Sequence, residues 1–212
     1  MRTIILGKEG DQPFSITADG VSRRHARITI GDDGNWLLED MDSSNGTYIR
    51  NETDGSLSRI AKTGITPMTF ICLGPDNAKG CCFYARQVLP ENYGDFTAEY
   101  EYLSEIEERY SEQLRRIEQN SKNLNIVKAV LPVVLLTLTF VVIPGIGPLS
   151  LIIRMAVAAL PTVLILMFYN PTEMKKKLKT LQDNFSHCPN PCCSNRLTGK
   201  EIRNMRCSKC KK

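Results

Sequence analysis

Over roughly the first 88 residues, short runs alternate apolar and polar positions, at 3–6, 14–17, 26–30, 36–39, 47–50, 68–73 and 82–86. A period of two is the signature of strands with one buried face. Between the runs lie Gly31-Asp32-Asp33-Gly34-Asn35, Ser44-Asn45-Gly46 and Asp54-Gly55, residues that tolerate the left-handed backbone a tight turn needs. Turns recurring about every ten residues predict an all-β sandwich or barrel over 1–90. No strand–helix alternation is present. That excludes a dinucleotide-binding or P-loop fold, and Gly7-Lys8 lacks the rest of a phosphate-loop motif.

Past Pro90-Glu91-Asn92-Tyr93-Gly94 the period becomes seven, with Phe96, Leu103, Tyr110, Ile117 and Leu124 one heptad apart and Ile106 and Leu114 between them. This predicts an amphipathic helix over 95–125. Gln113 and Asn120 interrupt the second apolar position, so a polar-specified coiled coil, giving a homo-oligomer, and packing on a neighbouring helix both stay open. From Ala129 to Ile153 there are 25 residues without a charge, and from Met155 to Tyr169 another 15. With the helix-breaking Pro144-Gly145-Ile146-Gly147-Pro148 between them, they predict a transmembrane hairpin within 126–170, its arms at 126–143 and 149–169. At about 1.5 Å per residue the arms reach roughly 27 and 31 Å, close to one hydrocarbon thickness. The first is only just long enough, which leaves a re-entrant hairpin as the alternative.

Composition changes this picture little, whereas the distribution of charge changes it more. The 212 residues are 42% hydrophobic and 24% charged, which excludes collagen-like, fully disordered and polytopic transporter chains. Arg115, Arg116, Lys122 and Lys128 precede the hairpin, Lys175, Lys176, Lys177 and Lys179 follow it, and the turn carries no charge. Both ends are therefore expected in the cytoplasm, with a bacterial inner membrane as the expected location. Arg154, near the start of the second arm, is expected to snorkel to the far interface or to pair inside the hairpin. The N-terminal MRTIILGKEG has no apolar signal core and reads as a first strand.

Candidate chemistry sits in three segments of the β-rich region: Gly7-Lys8, Val21-Ser22-Arg23-Arg24-His25-Ala26-Arg27-Ile28, and Leu38-Glu39-Asp40-Met41-Asp42-Ser43-Ser44-Asn45-Gly46-Thr47. A phosphate dianion needs cations and donors on rigid turns, and Lys8, Ser22, Arg23 and Ser44 supply them. Asn45 can donate to and accept from an extended peptide backbone. In order and spacing the segments resemble the Gly-Arg, Ser-Arg-x-His and Ser-x-Asn-Gly-Thr motifs of the forkhead-associated (FHA) domain, over about residues 1–88. That resemblance implies a sandwich that binds phosphothreonine peptides with loops at one end. Carried over by position, it assigns Lys8, Ser22 and Ser44 to phosphate, Arg23 to phosphate or peptide backbone, and Asn45 to the backbone beside the phosphothreonine. His25 would brace the loops, Gly7, Gly46 and Thr47 would shape them, and Asp40 would hold the turn. Lys8 stands where the family usually has Arg. A point charge there loses bidentate contact, leaving Arg23 and Arg24 as the planar donors.

Five of the eight cysteines fall in the last 25 residues. Cys188, Cys192 and Cys193 are followed by Cys207 and Cys210, two short pairs able to place four thiolates around structural Zn²⁺. The expected ligands are Cys188, Cys193, Cys207 and Cys210, as in a zinc-ribbon-like module over 180–212, with Cys192 and then His187 as alternatives. A closed four-thiolate site has no open position for water, so catalysis by the metal is not expected. Cys72, Cys81 and Cys82 read as small core residues, and the cysteine pattern as that of a reducing compartment. The two histidines form no competent triad with Ser22, so no enzyme is expected.

Eleven Lys and Arg against three acidic residues over 171–212 match anionic lipid better than nucleic acid, because no aromatics interleave with them. The combined expectation is a membrane-anchored adaptor. It would bring the phosphothreonine-bearing substrate of a Ser/Thr kinase to the cytoplasmic membrane face. A phosphate-independent membrane scaffold and a membrane-tethered zinc-ribbon nucleic-acid binder are the other readings.

Overall fold

The computed structural model describes residues 1–74, 79–142, 148–193 and 195–211. Two compact units emerge, one made of residues 1–108 together with 181–212, the other of residues 109–180.

The first unit is built on two antiparallel sheets of four strands. One has the order β1 (Arg2–Leu6), β2 (Ala26–Ile30), β3 (Trp36–Asp40), β6 (Lys62–Ile65). The other has the order β5 (Leu57–Ile60), β4 (Thr47–Arg50), β7 (Phe70–Leu73), β8 (Cys81–Tyr84). Ile4, Leu6, Ile28 and Leu38 from the first sheet meet Ile71, Leu73 and Phe83 from the second in a fully enclosed core. The expected sandwich is therefore present. Three details differ from the sequence reading. Residues 14–17 form no strand although Phe14 and Ile16 are buried, because they pack as a loop over the core edge. β5 and β6 were not foreseen, since neither carries a continuous apolar face. The run expected at 82–86 is a strand only to Tyr84, then a 3-10 turn, Ala85–Val88.

Every residue of β7 is buried, which a sheet with one wet face would not allow. The second sheet is covered on both sides. On its outer side Phe70, Cys72 and Tyr84 cluster with Tyr102 from helix α1 (Thr97–Val142). Arg50 of β4 lies over the Phe70 ring at 3.6 Å and donates to the Phe185 carbonyl at 3.3 Å. The C-terminal segment is thus part of the sandwich unit.

Two disulfides correct the expectation for Cys72, Cys81 and Cys82. Cys72 and Cys82, paired across β7 and β8, are bonded to each other, and Cys81 is bonded to Cys192. Cross-strand register brought the first pair together and docking of the tail the second, neither of which spacing along the chain reveals. The alternative ligand Cys192 is taken up by its bond to Cys81 and does not hold in this structure.

The heptad stripe and the first apolar arm form one unbroken helix, α1, with Pro132 inside it. Phe96, just ahead of it, and its first apolar positions, Tyr100 and Leu103, are buried against the cysteine-rich tail of the same chain. In the second unit α1 is followed by α2 (Pro148–Phe168), and then by α3 (Pro171–Phe185). The turn expected at 144–148 falls, except for Pro148, outside the described residues. Among the described residues one helix, α1, is long and apolar enough to cross a membrane, and Leu151–Ile165 of α2 is a shorter apolar stretch. Arg154 is buried, with its guanidinium 4.3 Å from the Phe140 ring centre. Outside the apolar stretch, Lys175 pairs with Glu118 at 3.1 Å, while Lys176, Lys177 and Lys179 are exposed.

Candidate functional site

Leu6, Ala26, Asp40, Thr47 and Leu73 stand at one end of the sandwich, because Leu6 pairs with Ala26, Ala26 with Asp40, and Thr47 with Leu73. The loops leaving these residues carry all three sequence motifs. The register of the strands, not proximity in sequence, brings them together.

His25 ties the loops to one another. Its ring is fully buried, Nδ1 accepts from the Ser22 N–H at 3.0 Å, and Nε2 lies 3.0 Å from the Gly46 carbonyl. Both contacts are satisfied by the neutral ring protonated on Nε2. The backbone of His25 also bonds Leu6 and Met41. Burial pushes the imidazole below its usual range, against the opposing pulls of the Gly46 carbonyl and Asp40. A folded state that disfavours the imidazolium keeps its full stability above about pH 6.5 and loses it as the pH falls through the depressed value. Thermal melts from pH 7.5 to 5 are expected to show this loss, limited to about 1.4 kcal/mol per pH unit from one group. His25→Gln, less stable at neutral pH, should show a flatter profile; an equal slope in both proteins would contradict the assignment.

Asp40 organises the second loop. Its carboxylate accepts from the Ser43 N–H at 3.0 Å, the Ser43 hydroxyl at 2.7 Å and the Thr47 hydroxyl at 2.5 Å. Burial opposes the charge, but these donors outweigh it and hold the carboxyl below its usual value. Ser43 Oγ in turn accepts from the Gly46 N–H. Two glycines are sterically required. Gly7 has φ 154°, and a Cβ there would sit 2.2 Å from the Arg23 carbonyl; Gly46 has φ 79°, and a Cβ there would sit 2.4 Å from Arg59 Nε. Close approach at Gly7 lets Lys8 N–H reach the Ser22 carbonyl at 3.1 Å and Glu9 N–H the Arg23 carbonyl at 2.9 Å.

On this frame Ser22 Oγ accepts from the Ser44 N–H at 3.3 Å, which leaves its own proton to donate. Asn45 spends one amide proton on the Gly20 carbonyl at 2.8 Å, and its Oδ1 has no partner among the described residues. Lys8, Arg23 and Ser44 are exposed and their side chains make no bond among the described residues. Thus Lys8, Ser22, Arg23, Ser44 and Asn45 fall within the loops of one end, while Gly7, His25, Asp40, Gly46 and Thr47 are the frame. Arg59, on β5, escaped the sequence reading: the register Tyr48↔Arg59 brings it beside Gly46, and no motif marks it.

The unpaired cations of the sandwich are not scattered. Arg2 pairs with Glu91, Arg27 and Lys62 with Glu39, and Arg86 with Glu99. Lys8, Arg23, Arg24 and Arg59 have no partner among the described residues, and all lie on or beside the loops bearing Ser22 and Ser44. Rigid loops with free hydroxyl donors and uncommitted cations can hold a multiply charged oxyanion.

A second centre lies in the tail. The Sγ atoms of Cys188, Cys193, Cys207 and Cys210 all lie within 4.8 Å of one another, and those of Cys188 and Cys210 are 3.6 Å apart. A tetrahedral metal with bonds near 2.3 Å needs sulfurs roughly 3.8 Å apart, so the four thiols can hold a metal ion. Amide donors face the sulfurs: Asn190 toward Cys188, Asn195 toward Cys193, and Cys210 and Lys209 toward Cys207, with Asn195 Nδ2 3.3 Å from Cys207 Sγ. Donors aimed at sulfur are what thiolates require. The cluster is enclosed by Phe96, Tyr100, Leu103, Leu197 and Ile202. Helix α4 (Gly199–Arg203) is held by a capping box between Thr198 and Glu201, and Glu201 also accepts from the Ser208 N–H at 2.8 Å. Cys192 is committed to Cys81, and His187 Nδ1 lies 3.0 Å from Arg50, which places both outside the cluster.

Comparison with known proteins agrees with the motifs. Residues 4–63 match the FHA domain family. Over 46 residues the chain is 37% identical to the FHA domain-containing protein FhaB of Mycobacterium tuberculosis, in each of two strains. That alignment spans 22% of this chain and 29% of the relative's length. Among solved structures, the FhaA FHA domain complexed with the intracellular domain of Rv3910 is 32% identical, with 35% of this chain and 76% of that one covered and a TM-score of 0.29. An FHA structure from a study of phosphothreonine-dependent interactions gives 32% identity, coverage of 35% and 72%, and a TM-score of 0.29. The FHA domain of the CT664 protein of Chlamydia trachomatis gives 27%, coverage of 34% and 69%, and a TM-score of 0.28.

Proposed function

We propose that this chain, which carries an FHA domain at its N-terminus, is a membrane-anchored, non-catalytic adaptor that captures phosphothreonine-bearing segments of partner proteins. Ser22 and Ser44 donate to the phosphate, Lys8 and Arg23 neutralise it, and Asn45 accepts from the peptide backbone. The observation that carries this reading is the segregation of cations: paired elsewhere in the sandwich, unpaired around Ser22 and Ser44. Such an arrangement leaves charge uncompensated where a dianion would compensate it. A kinase acting on the partner adds roughly −1.5 to −2 charges and three acceptor oxygens, so modification itself is the switch.

The apolar parts of α1 and α2 hold the adaptor in the bilayer, and Lys176, Lys177 and Lys179 meet anionic headgroups on the cytoplasmic side. Zinc fits the four-cysteine centre, since an all-sulfur donor set within a small buried cluster suits that ion and leaves no site for a reacting water. Its work is to fold a tail too short for a core of its own.

The test uses the full chain in nanodiscs, because the tail packs on the sandwich. Titration with a degenerate phosphothreonine peptide pool and its unphosphorylated twin is expected to give binding only to the former. Arg23→Ala and Ser44→Ala should each weaken it, by about ten-fold or more for a charge-assisted contact. Equal binding of both pools by folded protein would instead identify a phosphate-independent scaffold.

A further inference from the structure

Arg59 is the cation of the site region that neither the loop motifs nor the phosphate contacts account for. It stands on the exposed edge strand β5, one residue from the strand end that carries the loops, since Ile60 pairs with Thr47. Its guanidinium lies against Gly46, with Nε 2.4 Å from where a Cβ on that residue would stand. Gly46 itself is fixed, its N–H on Ser43 Oγ and its carbonyl facing His25 Nε2 and the Gly74 N–H. Arg59 has no carboxylate, carbonyl or ring partner among the described residues. The planar donor fork therefore rests on a rigid support two residues along from Ser44, with its hydrogen-bonding capacity uncommitted.

Resting on the phosphothreonine reading above, we infer that Arg59 is a specificity-determining residue that selects bound segments carrying a second anionic side chain, a carboxylate or another phosphate, near the phosphothreonine. Arg suits this task because its fork engages either group through two parallel bonds. Two steps of backbone separate Gly46 from Ser44, at most about 7 Å, and the guanidinium adjoins Gly46. At about 3.3 Å per residue of extended chain, the second anion stands roughly two to four residues from the phosphothreonine. Lys8 and Arg23 belong to the loop of Ser22 between β1 and β2, whereas Arg59 stands on β5.

The experiment measures anisotropy of labelled peptides on the full chain in nanodiscs of zwitterionic lipid, so that no anionic headgroup competes. Each peptide keeps the phosphothreonine in an alanine background, and one Glu, or one phosphoserine, is walked through four residues on either side. At one or two positions the acidic peptide is expected to bind about five- to ten-fold more tightly than its alanine counterpart. In Arg59→Ala this ratio should fall to near one, and Arg59→Lys should restore part of it. A gain from phosphoserine alone would identify the second phosphate as the partner. A ratio unchanged in Arg59→Ala, or no gain at any position while the alanine-background phosphopeptide still binds, would overturn the role of Arg59 and leave the reader function standing. No phosphate-dependent binding at all would overturn both.

Discussion

On the proposal that the four-cysteine centre holds structural zinc, a strong chelator is expected to unfold the tail from residue 186 onward while the two-sheet core persists. Cys188 and Cys207 are themselves buried members of the cluster formed with Phe96, Tyr100, Leu103, Leu197 and Ile202. With no ion to gather them, the four sulfurs contribute only modest burial, whereas structural zinc supplies an apparent 10–16 kcal/mol, roughly the whole stability of an ordinary domain. Hydrogen exchange should show the amides of 195–211 losing protection, together with those of the first turns of α1 around Tyr100 and Leu103. Protection in β1, β2 and β7 should survive, because their core does not include the cysteine centre. Cys207→Ser should reproduce the pattern without chelator. Unchanged exchange after verified metal removal, or purification of the folded chain without bound metal, would refute structural zinc.

Glu99→Ala is expected to destabilise the first unit by about 3 kcal/mol, lowering its melting temperature by roughly 10 °C. Glu99 is fully buried, where its carboxylate accepts from Gln87 Nε2 at 2.6 Å and Arg86 at 3.1 Å. Gln87 is also fully buried; it donates to the Asp95 carbonyl at 2.9 Å and accepts from the Gly94 N–H at 3.2 Å. These bonds fasten the start of α1 to the sandwich, and alanine leaves the buried Gln87 and the partly buried Arg86 with fewer acceptors. Burial raises the Glu99 carboxyl above its usual range despite the pull of Gln87 and Arg86. A raised carboxyl binds more protons folded than unfolded, so its contribution is full below about pH 4.5 and diminishes as the pH rises through the raised value. Glu99→Gln keeps an acceptor without the buried charge and should cost far less than alanine. Equal losses in the two variants would show that side-chain volume, not this hydrogen-bond set, holds the helix.

The sandwich was legible because its strands alternate cleanly and its turns carry Gly, Asn and Asp where the left-handed backbone is needed, as at Gly34 and Gly46. The frame of the loop end was legible for the same local reason. Asp40, Ser43 and Thr47 lie close enough in sequence to bond one another, and His25 needs only its own loop and the next. Relations set by tertiary register could not be read. The Cys72–Cys82 bond depends on which residues of β7 and β8 face each other, and Cys81–Cys192 on where the tail docks. Arg59 came into view only through the pairing of β4 with β5. Arg50 looked like an unremarkable strand end, yet it is buried beneath Phe185 and His187, residues more than a hundred positions away. The heptads of α1 stop at Leu124 whereas the helix runs on to Val142, and they did not reveal its partner, since apolar spacing states that a face is covered without stating by what.

The division of the chain also constrains how it can be threaded through a bilayer. Residues 1–108 and 181–212 form a single compact unit, closed by Arg50 on Phe185 and by the Cys81–Cys192 bond, and 109–180 leave that unit and return to it. A body made of both segments cannot straddle a membrane. Both ends of the intervening stretch are thereby held to one body, and on the membrane-anchored reading proposed above they enter and leave the bilayer at the same face.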